Sequence, residues 1–256
     1  MKTLIVTLCK NESALIPFAI KYWQRIADKV IVYDNYSEDN SVELLSKYDF
    51  VEVRHFQSPG QQEIIQKELK EKTYLEFKDA FDVIILCDMD ELFFFRDYKT
   101  SAKRMLDEGY DCMITPIYSL CNDVEPTPSE KLLHQQCTMF YKQKMNHTPG
   151  FEEYSKFSIF NCHTVDGVSM SVGQHFVRTS PNMRIMLEND AFCLHTDKGF
   201  SPSFYLATKR RMGKNLSDFN KRNGMATEYL KSDEEHLKDY KEHQEKSFNL
   251  NEKISF

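Results

Sequence analysis

Four short runs rich in apolar and β-branched residues, Thr3–Leu8, Lys29–Tyr33, Phe50–Arg54 and Val83–Cys87, are separated by stretches of helix length. This alternation constrains the fold more than any other feature, because strand–helix–strand repeats bury both faces of a largely parallel sheet. The intervening segments carry helical periodicity. From Pro17 to Ala27, Phe18, Tyr22 and Ile26 recur at helical spacing with Ala19 and Trp23 beside them, and Pro17 suits the first turn. Asp39–Tyr48 sets Val42, Leu44 and Leu45 on one face behind the polar run SEDN, and Gln61–Lys78 carries Ile64, Ile65, Leu69 and Leu75. The expected fold is α/β, a mostly parallel central sheet flanked by helices, with the ends of successive strands on one ligand-binding edge.

After about residue 111 the pattern becomes mixed. Cys112–Ile117, Phe157–Phe160, Gln174–Val177 and Ala191–Leu194 are short runs among loops with Pro, Gly and Asn, which predicts an antiparallel or irregular second half. From Ser203 to about Lys246 the chain is charged and helix-prone with thinly spaced apolar residues, the composition of surface helices. The expected division is a catalytic-size unit over 1–202, split into 1–95 and 96–202, followed by a helical C-terminal extension over 203–256. At 256 residues the chain is too short for two large cores. A net charge of -6 argues against a dedicated nucleic-acid binder. Seven scattered cysteines without a CxxC pair read as reduced core thiols, and the N-terminal apolar run is too short for a signal peptide or membrane helix, so a cytoplasmic location is expected.

Within the fourth run, DVIILCDMDELFFF passes from a nearly continuous apolar strand into three acids, Asp88, Asp90 and Glu91, and back into Leu92–Phe95. Three carboxylates flanked by core need a counter-charge. Two strand-like residues apart, Asp88 and Asp90 project to one side and address one cation, while Met89 turns into the core. Hard oxygen ligands suit Mg²⁺ or Mn²⁺, and such an ion against a diphosphate neutralises the charge that develops as a sugar–phosphate bond breaks. A turn of solvated acids is the plainer reading of the same residues.

TLCKNE at 7–12, VIVYDNYSEDNS at 30–41 and CDMDELF at 87–93, in that order, resemble the family-2-like glycosyltransferases of the GT-A fold, in the bacterial subgroup with KNE, YDNxSxD and DxDE motifs. The likeness covers roughly residues 1–95 and extends more loosely to QHF at 174–176, FCLH at 192–195 and LSDFNKRNG at 216–224. It implies a nucleotide-sugar donor, a UDP-sugar first among them, bound by residues 1–95. Residues 96–202 would then face a glycan or lipid-linked acceptor, in surface polysaccharide assembly.

The resemblance places Asp34, ending the second run, against the nucleotide base, where a carboxylate accepts from a uracil imide N–H. Asp34, Asn35 and Ser37 are equally turn-forming residues. Thr7, Asn11, Gln62 and Lys67 are the remaining donor-binding candidates beside Asp88. A later histidine commonly completes the metal site of such enzymes, and His195 fits, giving Asp88, Asp90 and His195 as metal ligands. The implied reaction inverts the anomeric centre and needs a general base, for which Glu153 and His175 are the candidates, with loop and strand roles as the plain alternatives. The basic residues Lys209, Arg210, Arg211, Lys214, Lys221 and Arg222 suit peripheral contact with anionic headgroups at the inner membrane face, or a solvated helix face. A nucleotidyltransferase is the rival enzyme class, although TLCKNES lacks a Gly-rich basic phosphate loop, and a non-catalytic glycan-binding module is the rival without chemistry.

Overall fold

A computed structural model of the chain describes residues 1–144, 151–154, 156–171, 177–178, 182–197 and 199–253. The alternating first third folds as β1 (Thr3–Cys9), α1 (Ile16–Ile26), β2 (Lys29–Asp34), α2 (Ser41–Leu45), β3 (Val51–His55), α3 (Glu63–Phe77) and β4 (Val83–Leu86). Strands β1, β2 and β3 pair in parallel, and β4 pairs in parallel with the other side of β1. Side chains of β1 alternate between two cores: Ile5 meets Phe18, Tyr22 and Trp23 of α1, while Leu4 and Val6 join Tyr74 of α3 and Phe160 on the opposite face. Burial on both faces explains why this strand is a continuous apolar run.

The chain continues through β5 (Glu91–Phe95), α4 (Tyr98–Asp107), β6 (Cys112–Ile114), β7 (Ile117–Leu120), α5 (Leu133–Gln136), β8 (Phe140–Lys142) and β9 (Ile159–Asn161). It then forms β10 (Ser169–Met170), β11 (Val177–Arg178), β12 (Ile185–Leu187) and β13 (Ala191–His195). Among the described residues the main sheet has seven strands in the order β12-β6-β9-β4-β1-β2-β3. It is the mostly parallel, helix-flanked sheet the alternation predicts. Only β9 runs against its neighbours β4 and β6.

A four-stranded sheet, β5-β13-β7-β8, packs beside it. The expected run Cys112–Ile117 divides between the two sheets. Pro116, which has no N–H for a ladder, separates β6 from β7. Leu92–Phe95, apolar residues that follow the acids, belong to a strand paired antiparallel with β13. Gln174–Val177 lies outside the described residues except for Val177, in β11.

The tail forms α6 (Pro202–Asn215), α7 (Asp218–Arg222), a 3₁₀ turn at Thr227–Leu230, α8 (Asp233–Glu245) and α9 (Leu250–Lys253). It is not the loosely attached surface layer that its composition suggests. Tyr205 of α6 and Tyr240 of α8 are fully buried and tilted together at 5.2 Å, and the Tyr240 hydroxyl donates to the Asn122 carbonyl. Phe248 exchanges both backbone hydrogen bonds with Phe140 of β8, at 2.9 and 2.8 Å. A few buried aromatics anchor these helices, so thin apolar spacing understated their attachment.

Candidate functional site

The sheet order reverses at β1: the chain moves outward through β2 and β3, then returns to place β4 on the other side. Such a reversal leaves a crevice at the carboxyl ends of the two central strands. Here the crevice opens into a cavity of about 910 Å³. Residues following β1, the turn after β4, the end of β13 and the inner face of α6 line it, with one stripe of α3, Glu63, Gln66, Lys67 and Lys70, at helical spacing.

Asp88 and Asp90 both line this cavity, but from a turn rather than a continuing strand, since β4 ends at Leu86 and β5 begins at Glu91. The Glu91 amide donates to the Asp88 carbonyl at 3.1 Å and the Asp88 amide donates to the Glu91 carboxylate at 3.0 Å. Met89 between them is buried in the core. The two aspartates therefore have different surroundings. Lys70 donates to Asp88 Oδ1 at 2.7 Å, and Lys156 reaches Asp88 Oδ2 at 3.3 Å and Glu91 Oε1 at 2.8 Å. Burial opposes ionisation of Asp88, yet the two ammonium groups outweigh it and hold its carboxyl well below the usual range. Lys156 is held charged in the same way, burial being overcome by Glu91 and Asp88.

Asp90 instead faces His195, with Oδ2 at 3.4 Å from Nε2. On the other side of the ring, Nδ1 lies 3.6 Å from Asp197 Oδ1 and 3.4 Å from Gln143 Oε1, and Ser119 donates to the same aspartate oxygen at 2.7 Å. Burial disfavours the imidazolium, but Asp197 and Asp90 reverse that and raise His195 to about 9. Asp90 and His195 offer one carboxylate and one imidazole. Among the described residues no group of three His, Cys, Asp or Glu side chains could hold a metal ion. One carboxylate and one imidazole are donor types that suit Mn²⁺ or Mg²⁺, and any such ion would need its further ligands from outside these two side chains. The cation would displace the imidazolium proton. Asp88 is not presented in this way, because lysine ammonium groups contact both of its oxygens.

The tail closes the opposite wall. Arg211 of α6 donates to the carbonyls of Lys10 and Asn11 and to Glu12 Oε1 at 2.8 Å, tying the helix to the end of β1. Burial pushes the Glu12 carboxyl up to about 7 against the lowering effect of Arg211. Lys209 lies over the rings of Tyr229 and Tyr205, at 4.9 and 5.2 Å. The six-residue basic cluster is thus divided: Lys209 and Arg211 line the cavity, Arg210 pairs with Asp233, and Lys214, Lys221 and Arg222 are exposed.

The structure brings Asp88, Asp90, His195 and Lys67 to one cavity and leaves other expected residues out of it. Thr7 is fully buried within β1 and does not line the cavity. Asp34 is also fully buried. Its oxygens accept from the Ser37 amide and hydroxyl, and His55 lies 3.3 Å away, so it builds the turn after β2. Asn35 and the exposed Tyr36, stacked on His55, line the cavity there instead. Asn11 has a left-handed backbone, φ 58°, and uses its side-chain oxygen to hold the Glu38 amide. Gln62 occupies the N-cap of α3 and is not among the cavity residues, whereas Gln61 and Glu63 are. Glu153 is exposed, paired with Lys142 at 2.7 Å and outside the main cavity; this pairing lowers its pKa, which makes it a weaker base. His175 lies outside the described residues. Lys70 and Lys156 are charged cavity residues that the sequence did not single out, and Arg211 entered the sequence reading only as part of the basic cluster. Lys70 had one visible signal, its place on the same helical stripe as Lys67.

No family model matches the chain, and no curated relative matches it. Among solved structures it is similar to S. aureus TarS 1-349, at 12% identity and a TM-score of 0.48, over 85% of this chain and 66% of that one. S. aureus TarS in a longer form is similar at 13% identity and a TM-score of 0.48, over 90% of this chain and 43% of that one. TarS 1-349 in complex with UDP is similar at 14% identity and a TM-score of 0.45, over 90% and 71%. The chain thus spans between 43% and 71% of the length of these TarS chains.

Proposed function

We propose that the protein is a glycosyltransferase that moves a sugar from a nucleoside-diphosphate donor to an acceptor hydroxyl. One observation carries the proposal: Asp88, Asp90 and His195 converge at the switch point of the sheet, on a cavity of about 910 Å³. That volume is near the upper end of single-ligand pockets, roughly 300–1,000 Å³, and leaves room for a nucleotide-sugar with part of an acceptor. A uridine donor and inversion at C1 follow from the sequence resemblance. In such a transfer the acceptor oxygen bonds to C1, the bond from C1 to the phosphate oxygen breaks, and its electron pair stays with the departing diphosphate. The acceptor proton passes to a base.

Asp90 and His195 would hold Mn²⁺ or Mg²⁺, which supplies charge neutralisation to the departing diphosphate. Asp197 orients the His195 ring from the far side, and Ser119 orients Asp197. Incubating purified protein with a panel of UDP-sugars, Mn²⁺ and candidate glycan or lipid-linked acceptors, and following UDP release, tests the reading. Release that is stimulated by one acceptor and lost in Asp90→Asn supports it. Equal release from the variant and the wild type rejects it.

A further inference from the structure

Lys70 and Lys156 reach the cavity floor from unrelated parts of the chain. Lys70 lies on the stripe of α3 that faces the cavity, two turns from the helix start. Lys156 lies three residues before β9, the one strand of the main sheet that runs against its neighbours. Because β9 is antiparallel to β4, with Ile159 opposite Ile85, its beginning lies beside the end of β4, where the acids are. The backbone fixes this placement, since the Leu86 amide donates to the Ser158 carbonyl at 2.8 Å.

Both lysines are nearly buried, with side chains 4% and 8% exposed, and both still form part of the cavity wall. Asp88 is shared between them, and Glu91, 2% exposed, holds Lys156 from behind without lining the cavity. Seen from the cavity, the floor therefore presents two nearly buried ammonium groups gathered around the Asp88 carboxylate, which is 40% exposed. As a purely structural device the arrangement is poor, because buried ion pairs seldom stabilise a fold more than apolar residues of similar volume. Convergence of two desolvated cations on the switch-point crevice matches the chemistry of a bound phosphate group, for which lysine serves as a point charge.

We infer that Lys70 and Lys156 seat the diphosphate of the nucleotide donor, with Asp88 acting as the hub that positions both ammonium groups. This rests on the nucleotide-sugar reading above. It assigns the phosphate contact to chain residues that act whether or not a divalent cation is bound. When the bond from C1 to the phosphate oxygen breaks, the two ammonium groups face the oxygen that gains the electron pair, and their effect is strongest in a dry site.

Calorimetric binding of UDP and of uridine, each with EDTA and again with Mn²⁺, separates the diphosphate contact from the base contact. Two charge-balanced variants, Lys70→Met with Asp88→Asn and Lys156→Met with Glu91→Gln, guard against failure to fold, and circular dichroism verifies that each is native. Wild type is expected to prefer UDP over uridine in EDTA. Each variant should lose about 10- to 100-fold in UDP affinity, the loss expected for a charged hydrogen bond, with uridine binding unchanged. A wild-type preference for UDP that persists at full size in both folded variants overturns the inference and leaves the donor reading standing. Wild-type protein that binds neither UDP nor uridine with EDTA or Mn²⁺ overturns the donor reading, and this inference with it.

Discussion

The two ends of β13 hold histidines in opposite states. Near its start, Phe192 packs against Phe94 at 5.1 Å and against His134 of α5 at 5.2 Å, and burial together with Arg25 pushes His134 down to about 4. At its end, His195 lies between Asp90 and Asp197 and rises to about 9. Burial works against a charged imidazole at both places. Carboxylates within reach overcome burial at one end, while at the other burial stands and Arg25 adds to it. The strand thus joins a region packed in the core to one that lines the cavity, and the two should respond to mutation in different measurements.

Removing the aromatic end should have the largest effect on stability. Phe192 is fully buried, and Phe192→Ala should cost about 3–5 kcal/mol in chemical denaturation, with transfer per folded molecule unchanged. Asp90→Asn should behave in the converse way. Transfer should fall on the order of 10²–10³, as when one electrostatic contact to a transition state is lost, while the denaturation midpoint moves less than in Phe192→Ala, by the share of the His195 pairing that Asp90 supplies. A variant at Asp90 that melts like Phe192→Ala would dissolve the distinction between the two ends.

The two histidines also predict opposite pH limbs for stability in EDTA. His134 has a folded pKa below the unfolded 6.5, so its contribution is complete above pH 6.5 and is lost as pH falls towards 4, about 3 kcal/mol in all. His195 has a folded pKa above 6.5, so its contribution is complete below pH 6.5 and is lost as pH rises through about 9. Unfolding free energy measured from pH 4 to 9 should decline at both ends. His134→Gln should flatten the acid limb alone and His195→Gln the alkaline limb alone; a shared response to either substitution would mean that the two sites titrate as one.

Much of this was legible in the sequence wherever a contact is local. The strands β1 to β4 and helices α1 and α3 follow from runs and periodicity in adjacent residues. Asp88 and Asp90 are visible because they interrupt an apolar run, and His195 because it ends one. Lys156 meets Asp88 across 68 positions and Arg211 meets Lys10 across 201, and neither distance leaves a trace in local pattern. The second sheet was hidden for a similar reason, since Phe93 and Phe94 read as core whichever sheet they join. Asp34 was legible as a turn former with Ser37, and the structure places it fully buried in that turn, outside the residues that line the cavity.

The smallest predicted effect lies in the tail and bears on which end of β13 the tail serves. Ser232 caps α8, its hydroxyl accepting from the Glu235 amide at 3.3 Å while the Glu235 carboxylate accepts from the Ser232 amide at 2.8 Å. Ser232→Ala should cost about 1 kcal/mol in stability, the usual value of such a cap. Helix α8 holds the body through Tyr240 and through Gln244, which donates to the Cys121 carbonyl, and it reaches the cavity wall only at His243. The loss should therefore appear in denaturation and leave UDP affinity unmoved, placing α8 with the aromatic end. A fall in UDP affinity at unchanged stability would instead make α8 part of the donor wall, in the company of α6, whose Arg211 already grips the end of β1.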